Sequence, residues 1–563
     1  MKTRIPKLAR RQRPAALAAA LLAASLIAGC ASIPTTGPVE VGLTDLQQAE
    51  QFVQYNPARP VSGASQEDLV RGFLQAGASS ADDYAVAREF LTTEYAGQWD
   101  PYYGVLIDGG SRPYRAAGEN SGVLLLSATA KVDAEGSMLP VQPGPNTELR
   151  FEFERVGEEW RISSAPAGII LDSAIFSTIW SPHQLYFIGP GDYLVPDTRW
   201  FLTRAALPTE IVGALLEGPV ESMRDVVRSG FPSGAALASK SVPVTDGQAV
   251  IDLNGAALDA DPRTLAEMNE QVKMSLQSVT GISGFELRAE GVALATLPDS
   301  AEALRTVSEI TTPAVLSDGK FGTFAVGVFT ETPELGPLIA DLDPTAITLA
   351  PDGSAAAVLN DGGVEKVTPE GVAIIDDRRG LLAPTYDLFG NIWTFRGSKA
   401  DEAQVTLADG TAQAISVTWL ADRRPVAVRV SPDGSRIAAL VRDAAQSFVL
   451  VGGVIRDEQG VPTAVTQEAE VQAWIEGRAV DLDWVGQSRF AVLSRTEGTT
   501  RVTVGGPGMF TSEQGSVPGG ASITGGGSRA QLRVLGDGSN LFTPQGSGWQ
   551  RVEGEVSVLA KRG

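Results

Sequence analysis

Two stretches of this chain share one pattern. Residues 347–360 read ITLAPDGSAAAVLN, and residues 428–442 read VRVSPDGSRIAALVR. Each is strand, turn, strand. The Pro-Asp-Gly-Ser turns place proline at the second turn position and glycine at the fourth, which is type I turn chemistry. Weaker copies begin at Pro384 (PTYDLFGNIWTFR) and Leu482 (LDWVGQSRFAVLSR). The turn glycines Gly353, Gly390, Gly434 and Gly486 recur at 37 to 52 residues, close to the length of a four-stranded propeller blade. Residues 335–563 therefore read as a β-propeller of five or six blades, with a β-sandwich as the alternative. Gly505 to Gly508 and Gly525 to Gly527 read as loops between its last strands.

Two smaller units precede it. In residues 63–180, Ser65 and Asp68 form an approximate capping box for a helix whose apolar face is Leu69, Val70, Phe73 and Leu74. A second helix is expected from Ser80, burying Tyr84, Ala87, Phe90 and Leu91. Strand-like runs at 123–130, 149–153 and 160–163 follow, giving a cone-shaped α+β domain. Its closing run Glu159-Trp160-Arg161-Ile162 resembles nuclear-transport-factor-like domains. Residues 181–300 read as a two-layer α/β unit. A short hairpin is expected around Gly189-Pro190-Gly191, then a helical face Ile211, Val212, Leu215 and Leu216 stopped by Gly218-Pro219. A strand at 249–253 leads to a longer helix with Asp261 as cap and Pro262 at its first position. Its buried stripe is Leu265, Met268, Val272, Leu276 and Val279, it ends at Gly281, and Phe285, Leu287 and Ala289 alternate after it. Residues 301–334 read as a linker.

The N-terminus carries an address. Lys2, Arg4, Lys7, Arg10, Arg11 and Arg13 precede a mostly apolar run over residues 15–28. That run is too short for a bilayer core needing roughly 20 residues, so residues 1–29 read as a cleaved secretory signal. It ends in Ile27-Ala28-Gly29-Cys30, which resembles a bacterial lipobox. The thiol of Cys30 is the acceptor for diacylglycerol, with palmitate among the acyl groups, and the small Ala28 and Gly29 give a peptidase access to the Gly29–Cys30 bond. Residues 30–62, with Pro34, Pro38, Pro57 and Pro60, read as an extended tether. No later stretch is long and apolar enough to span a membrane. The expected location is the extracytoplasmic face of the cell membrane, held there by lipid.

Composition narrows the chemistry. Asp and Glu number 67 against 45 Lys and Arg, a net charge of −22. Removing residues 1–29 takes six cations and no acid, which deepens the imbalance. Such a chain lacks the basic footprint of a nucleic-acid binder. One Cys excludes an internal disulfide, and one His, His183, disfavours histidine metal sites and serine-type triads. The acid pairs Asp82-Asp83, Asp341 with Asp343, and Asp376-Asp377 sit in turns and caps, where carboxylates usually bond their own backbone. The glycine loops lack the Gly-Lys-Ser/Thr of a phosphate-binding loop, and no loop spaces its acids for calcium. No metal and no cofactor is expected, and the chain reads as a non-enzyme.

The order of parts resembles the LpqB-type actinobacterial lipoproteins. The features that carry the likeness are the lipobox followed by Ser32-Ile33-Pro34-Thr35-Thr36-Gly37-Pro38-Val39, the closing propeller, and a middle block similar to the GerMN domain. That block shows Leu194-Val195-Pro196, Leu215-Leu216-Glu217-Gly218-Pro219 and the strand VIDLN from Val250. The resemblance implies association with the MtrAB two-component system: a lipoprotein that binds the extracytoplasmic domain of a sensor histidine kinase (MtrB-like) in cell-envelope and division signalling, with no catalytic residues carried over. The alternative is a lipoprotein that binds an envelope polymer, glycan or peptide. That reading asks for exposed aromatics on one face, for which Trp393, Trp419, Trp474 and Trp484 are the candidates.

Overall fold

Serine at position 65 does what its sequence context promises. It caps the helix Gln66–Ala76 in a complete capping box with Asp68, and Leu69, Val70, Phe73 and Leu74 are buried. The computed structural model describes residues 56–294, 304–308, 312–325, 328–443, 446–552 and 554–563. Ile27, Ala28, Gly29, Cys30 and the tether as far as residue 55 lie outside the described residues.

The N-terminal domain is mostly strand. One sheet runs Tyr114–Ala116, Ser121–Leu126, Thr147–Val156, Glu159–Ser164; the other runs Met138–Pro140, Ala128–Asp133, Gly104–Asp108, Ile169–Asp172. The last two strands of the second sheet pair in parallel. The second expected helix shrinks to Ala85–Arg88. Asp82, Asp83 and Tyr84 all have positive φ, a left-handed run that cannot continue an α-helix. The side chains expected inside are still buried, since Tyr84, Ala87, Phe90 and Leu91 join Phe73, Trp99 and Phe151 in one core.

In the middle domain the expected short hairpin is long: Trp180–Ile188 pairs in antiparallel register with Leu194–Leu202 over nine residues each. Helix Leu207–Glu217 ends at Gly218, whose φ is 96°. Gln248–Leu253 and Gly284–Ala289 pair in parallel on either side of helix Pro262–Leu276 in sequence, a crossover unit. Asp261 caps that helix through the Thr264 N–H. It stops at Leu276 rather than Gly281, and Leu265 is only half-buried.

Six sheets of the propeller follow among the described residues. Their first, inner strands touch in succession: Ala346–Leu349, Thr385–Tyr386, Pro425–Val430, Arg478–Val485 and Gly520–Thr524. Val556–Leu559 contacts both the last and the first of these, which closes the ring. This late strand belongs to the sheet formed by Ala314–Ser317, Lys320–Ala325 and Val328–Glu331. The expected linker 301–334 is therefore corrected: from Ala314 onward it supplies three strands of the first blade. The short Lys561–Arg562 strand lies parallel to Ala346–Leu349. Both PDGS turns form as expected, with Gly353 and Gly434 donating N–H bonds to Ala350 and Ser431 at 2.9 and 2.8 Å.

Candidate functional site

The residues first considered for chemistry are dispersed and engaged. His183 is buried in the hairpin, with the Ser181 hydroxyl 3.0 Å from its Nε2. Asp83 pairs with Arg88 at 3.0 Å. Asp376 is buried against Arg378 and Thr394, while Asp377, Asp341 and Asp343 are exposed. Asp352 and Asp433 accept the N–H groups of Ser354 and Ser435 inside their own turns.

Two of the four candidate tryptophans are core. Trp393 donates to Asp387 at 3.0 Å and Trp484 to the Arg429 carbonyl at 3.1 Å. Trp419 and Trp474 are half-buried. Trp474 lines a cleft of about 780 Å³. Its walls are Arg442, Asp443, Gln446 and Ser447 on one side and the link between strands Glu470–Ile475 and Arg478–Val485 on the other, with Pro143 of the N-terminal domain opposite. Gln446 fixes that opposition by donating to the Pro143 carbonyl at 3.3 Å and accepting from Gln142 at 3.1 Å. The Trp474 ring sits 5.2 Å from Phe448, and its buried N–H has no acceptor. Glu476 is held by Arg501 at 2.8 Å. Arg442 and Arg478 are exposed, and among the described residues their guanidinium groups make no ion pair or hydrogen bond. Two unpaired cations thus flank an indole in the cleft of an acidic protein.

A second surface is the outer strand of the second blade, Gly371–Asp376. Val372 is 38% and Ile374 58% exposed, and Ala373 between them is exposed too. Three other outer strands are blunted or covered. Met509–Val517 carries Thr, Ser, Glu and Gln, Gly548–Val552 carries Gln550 and Arg551, and Glu470–Ile475 is packed by Met138–Pro140 of the N-terminal domain. An uncharged apolar edge strand is a ready template for another chain.

Inside the ring lies a buried charge cluster. Lys561 Nζ donates to Asp481 at 2.7 Å and to the carbonyls of Leu482 and Ile523 at 2.9 and 2.8 Å. Arg429 is buried near Asp483, which also accepts the Gly525 N–H at 2.8 Å. Burial pushes the pKa of both Lys561 and Arg429 down, and the neighbouring carboxylates oppose this. Every Lys561 proton is used in joining two blades to the closing segment, so the cluster is a clasp.

Three family descriptions match successive parts of the chain: "Lipoprotein LpqB, N-terminal domain" at residues 59–177, "Sporulation and spore germination" at 184–295, and "Lipoprotein LpqB beta-propeller domain" at 330–559. The chain is 27% identical to lipoprotein LpqB of Streptomyces coelicolor, over 97% of this chain and 98% of that one. It is 26% identical to LpqB of Cutibacterium acnes (86% and 87%) and 28% to LpqB of Nocardia farcinica (85% and 85%). The chain belongs to the LpqB lipoprotein family. Among solved structures, the first GerMN domain of GerM from Bacillus subtilis aligns at 19% identity, over 22% of this chain and 94% of that one, with a TM-score of 0.19.

In LpqB terms, the cleft lies where the N-terminal domain faces the propeller, and the apolar edge lies on the propeller alone. All three domains meet at Trp200. It packs in the N-terminal core, stands on the middle-domain hairpin, and bonds to propeller residue Gly508. Arg436 adds a bond to the Pro196 carbonyl at 2.8 Å. Among the described residues, no helix is long and apolar enough to cross a membrane, and no group of three or more His, Cys, Asp or Glu is arranged to hold a metal. Arg442 and Arg478 escaped the sequence reading because nothing local marks an exposed arginine as unpaired. The GVAIID strand carried a signal, an apolar run without a charge, that the turn pattern overshadowed.

Proposed function

We propose that this LpqB-family chain is an extracytoplasmic regulatory lipoprotein. In this reading it is cleaved between Gly29 and Cys30, acylated at Cys30, and held by lipid at the outer face of the cell membrane. It binds the extracytoplasmic domain of a two-component sensor kinase of the MtrB type and shifts its signalling equilibrium, with no enzymatic step of its own. Its N-terminal domain acts as a nuclear-transport-factor-like module. The observation that carries the reading is the apolar edge Val372-Ala373-Ile374, a surface suited to an added strand from a partner. Tethering to the same membrane raises effective concentration, so a modest contact suffices. To bias the kinase, the lipoprotein must prefer one signalling state. The test is kinase autophosphorylation in liposomes with and without the acylated protein, beside direct binding to the kinase ectodomain. No binding and no change in phosphorylation at low salt would sink the reading. Mass spectrometry of the membrane-extracted chain tests the anchor: Cys30→Ala should abolish acylation.

A second reading, recognition of an anionic envelope polymer, is favoured by the unpaired Arg442 and Arg478 beside Trp474.

A further inference from the structure

We propose that the cleft beside Trp474 binds a short segment of an anionic glycan, with Arg442 and Arg478 gripping its carboxylate or phosphate groups and a sugar ring lying against the Trp474 indole. The inference rests on the polymer reading above and gives it a site and a ligand chemistry.

Charge sets the ligand's sign. The chain carries 67 acids against 45 bases, yet the cleft walls hold two guanidinium groups that have no ion-pair or hydrogen-bond partner among the described residues. The acids beside them are spoken for: Glu476 is paired with Arg501 at 2.8 Å, and Asp443 is engaged within the chain. Guanidinium forks match carboxylate and phosphate oxygens in bidentate geometry. The arginines stand at the ends of two different propeller strands, one closing Arg436–Arg442 and one opening Arg478–Val485. Their anchor points are therefore fixed by neighbouring sheets.

Shape and lining set the class. About 780 Å³ lies within the range of roughly 300–1,000 Å³ typical of small-ligand sites, and the position between two domains is a usual one. The outer strand that carries Trp474 and Ile475 is already covered by Met138–Pro140, so a peptide finds no free strand edge to extend here. The lining supplies the half-buried Trp474 indole beside the Gln446 amide, an apolar surface bordered by a polar group.

The test titrates the detergent-solubilised full chain by calorimetry with four probes of similar length. These are an oligogalacturonate (carboxylate), a sugar-phosphate oligomer (phosphate), a neutral dextran oligomer and hexaglutamate. We expect one or both anionic oligosaccharides to bind and dextran not to; which one binds identifies the anion. The surface variant R442Q/R478Q should lose at least tenfold in affinity with an unchanged melting temperature. R442K/R478K should recover only part of that loss, because lysine keeps the charge and lacks the fork. If wild type binds neither anionic oligosaccharide, the site and the polymer reading both fall. If it binds but R442Q/R478Q binds equally well, the site is wrong while the polymer reading stands. Tighter binding of hexaglutamate than of either glycan overturns the glycan assignment.

Discussion

The indole N–H of Trp200 donates to the carbonyl of Gly508 at 2.8 Å, joining the middle-domain hairpin to a turn of the propeller. The same residue's backbone N–H donates to the Gly136 carbonyl in the N-terminal domain, also at 2.8 Å. Gly136 has φ +83°, and a Cβ there would lie 2.7 Å from the Trp200 carbonyl oxygen. Only glycine allows that approach. Phe176 and Phe510 flank the indole from the N-terminal domain and the propeller, with ring centroids at 4.9 and 5.5 Å. One side chain thus packs in the core of the N-terminal domain and against the propeller surface while standing on the middle domain.

Trp200→Phe keeps most of the packing but leaves the Gly508 carbonyl without its donor, costing about 1–3 kcal/mol. Trp200→Ala should cost about 3–5 kcal/mol by opening a cavity at the joint. Denaturant unfolding checks the magnitudes. Limited proteolysis of Trp200→Ala should cut first between domains.

Ring closure gives a sharper outcome. A fragment of residues 335–563 lacks Ala314–Ser317, Lys320–Ala325 and Val328–Glu331, so Val556–Leu559 has lost its sheet. We expect that fragment to be unfolded or aggregated, and one spanning 312–563 to melt cooperatively with a strand-rich circular dichroism spectrum. Equal cooperativity in the two fragments would show that the first blade is dispensable.

That contrast also shows what the sequence could and could not disclose. Ser65, Asp261 and Pro262 act within one helical turn, and their caps were legible because the partners are three residues away. The PDGS turns were legible for the same reason. The first blade was not: its strands close against Val556–Leu559, some 240 residues later, and periodicity carries no information about which distant segment completes a sheet. The helix expected from Ser80 failed because three successive left-handed residues bury Tyr84 without helical geometry, so burial alone mimicked a helix. At the candidate sites, Trp474 was named from sequence, but its separation from the buried Trp393 and Trp484 depends on strand position within each blade. Unpaired arginines are defined by what is missing around them in space.

Glu470 makes the joint pH-sensitive. It sits on the strand packed by Met138–Pro140 and is largely buried, with Asp133 of the N-terminal domain and Asp197 of the middle domain as neighbouring negative charges. Burial first, and then those two carboxylates, push its pKa up, opposed by a bond from Gln472 and by the charge of Lys131. A carboxyl whose folded pKa exceeds its unfolded value favours the fold below the unfolded pKa, and that contribution is lost as pH rises through the folded pKa. Glu470→Gln removes the ionisation. The melting temperature of wild type should therefore fall relative to Glu470→Gln as pH is raised from about 4 to 8. Parallel curves would show that Glu470 does not couple to folding.

The clasp inside the ring should be costly to break. Lys561→Met takes the hydrogen-bonded cation away from Asp481, leaving it only the more distant Arg429, and removes the donor to the Leu482 and Ile523 carbonyls. Removing one partner of a buried pair costs about 3–5 kcal/mol. Lys273→Met, which breaks the solvent-exposed pair with Glu270, should cost no more than about 1 kcal/mol. Urea midpoints of the two variants, measured side by side, test whether burial makes the difference.

The apolar edge of the second blade can be separated from stability by charge. Ile374 is 58% exposed on the outer strand, so Ile374→Lys removes little buried area, and its effect on folding should stay within about 0.5 kcal/mol. Lysine on an edge strand is a natural device against pairing, because it must be desolvated if another strand docks. A partner that adds a strand at Gly371–Asp376 should therefore lose at least tenfold in affinity to the Ile374→Lys chain, chiefly through faster dissociation. The R442Q/R478Q variant, altered in the cleft, should bind the kinase ectodomain as wild type does. Surface plasmon resonance with immobilised ectodomain distinguishes the two surfaces. Undiminished binding by Ile374→Lys would move the kinase contact away from this strand, while loss of binding only in the arginine variant would assign it to the cleft.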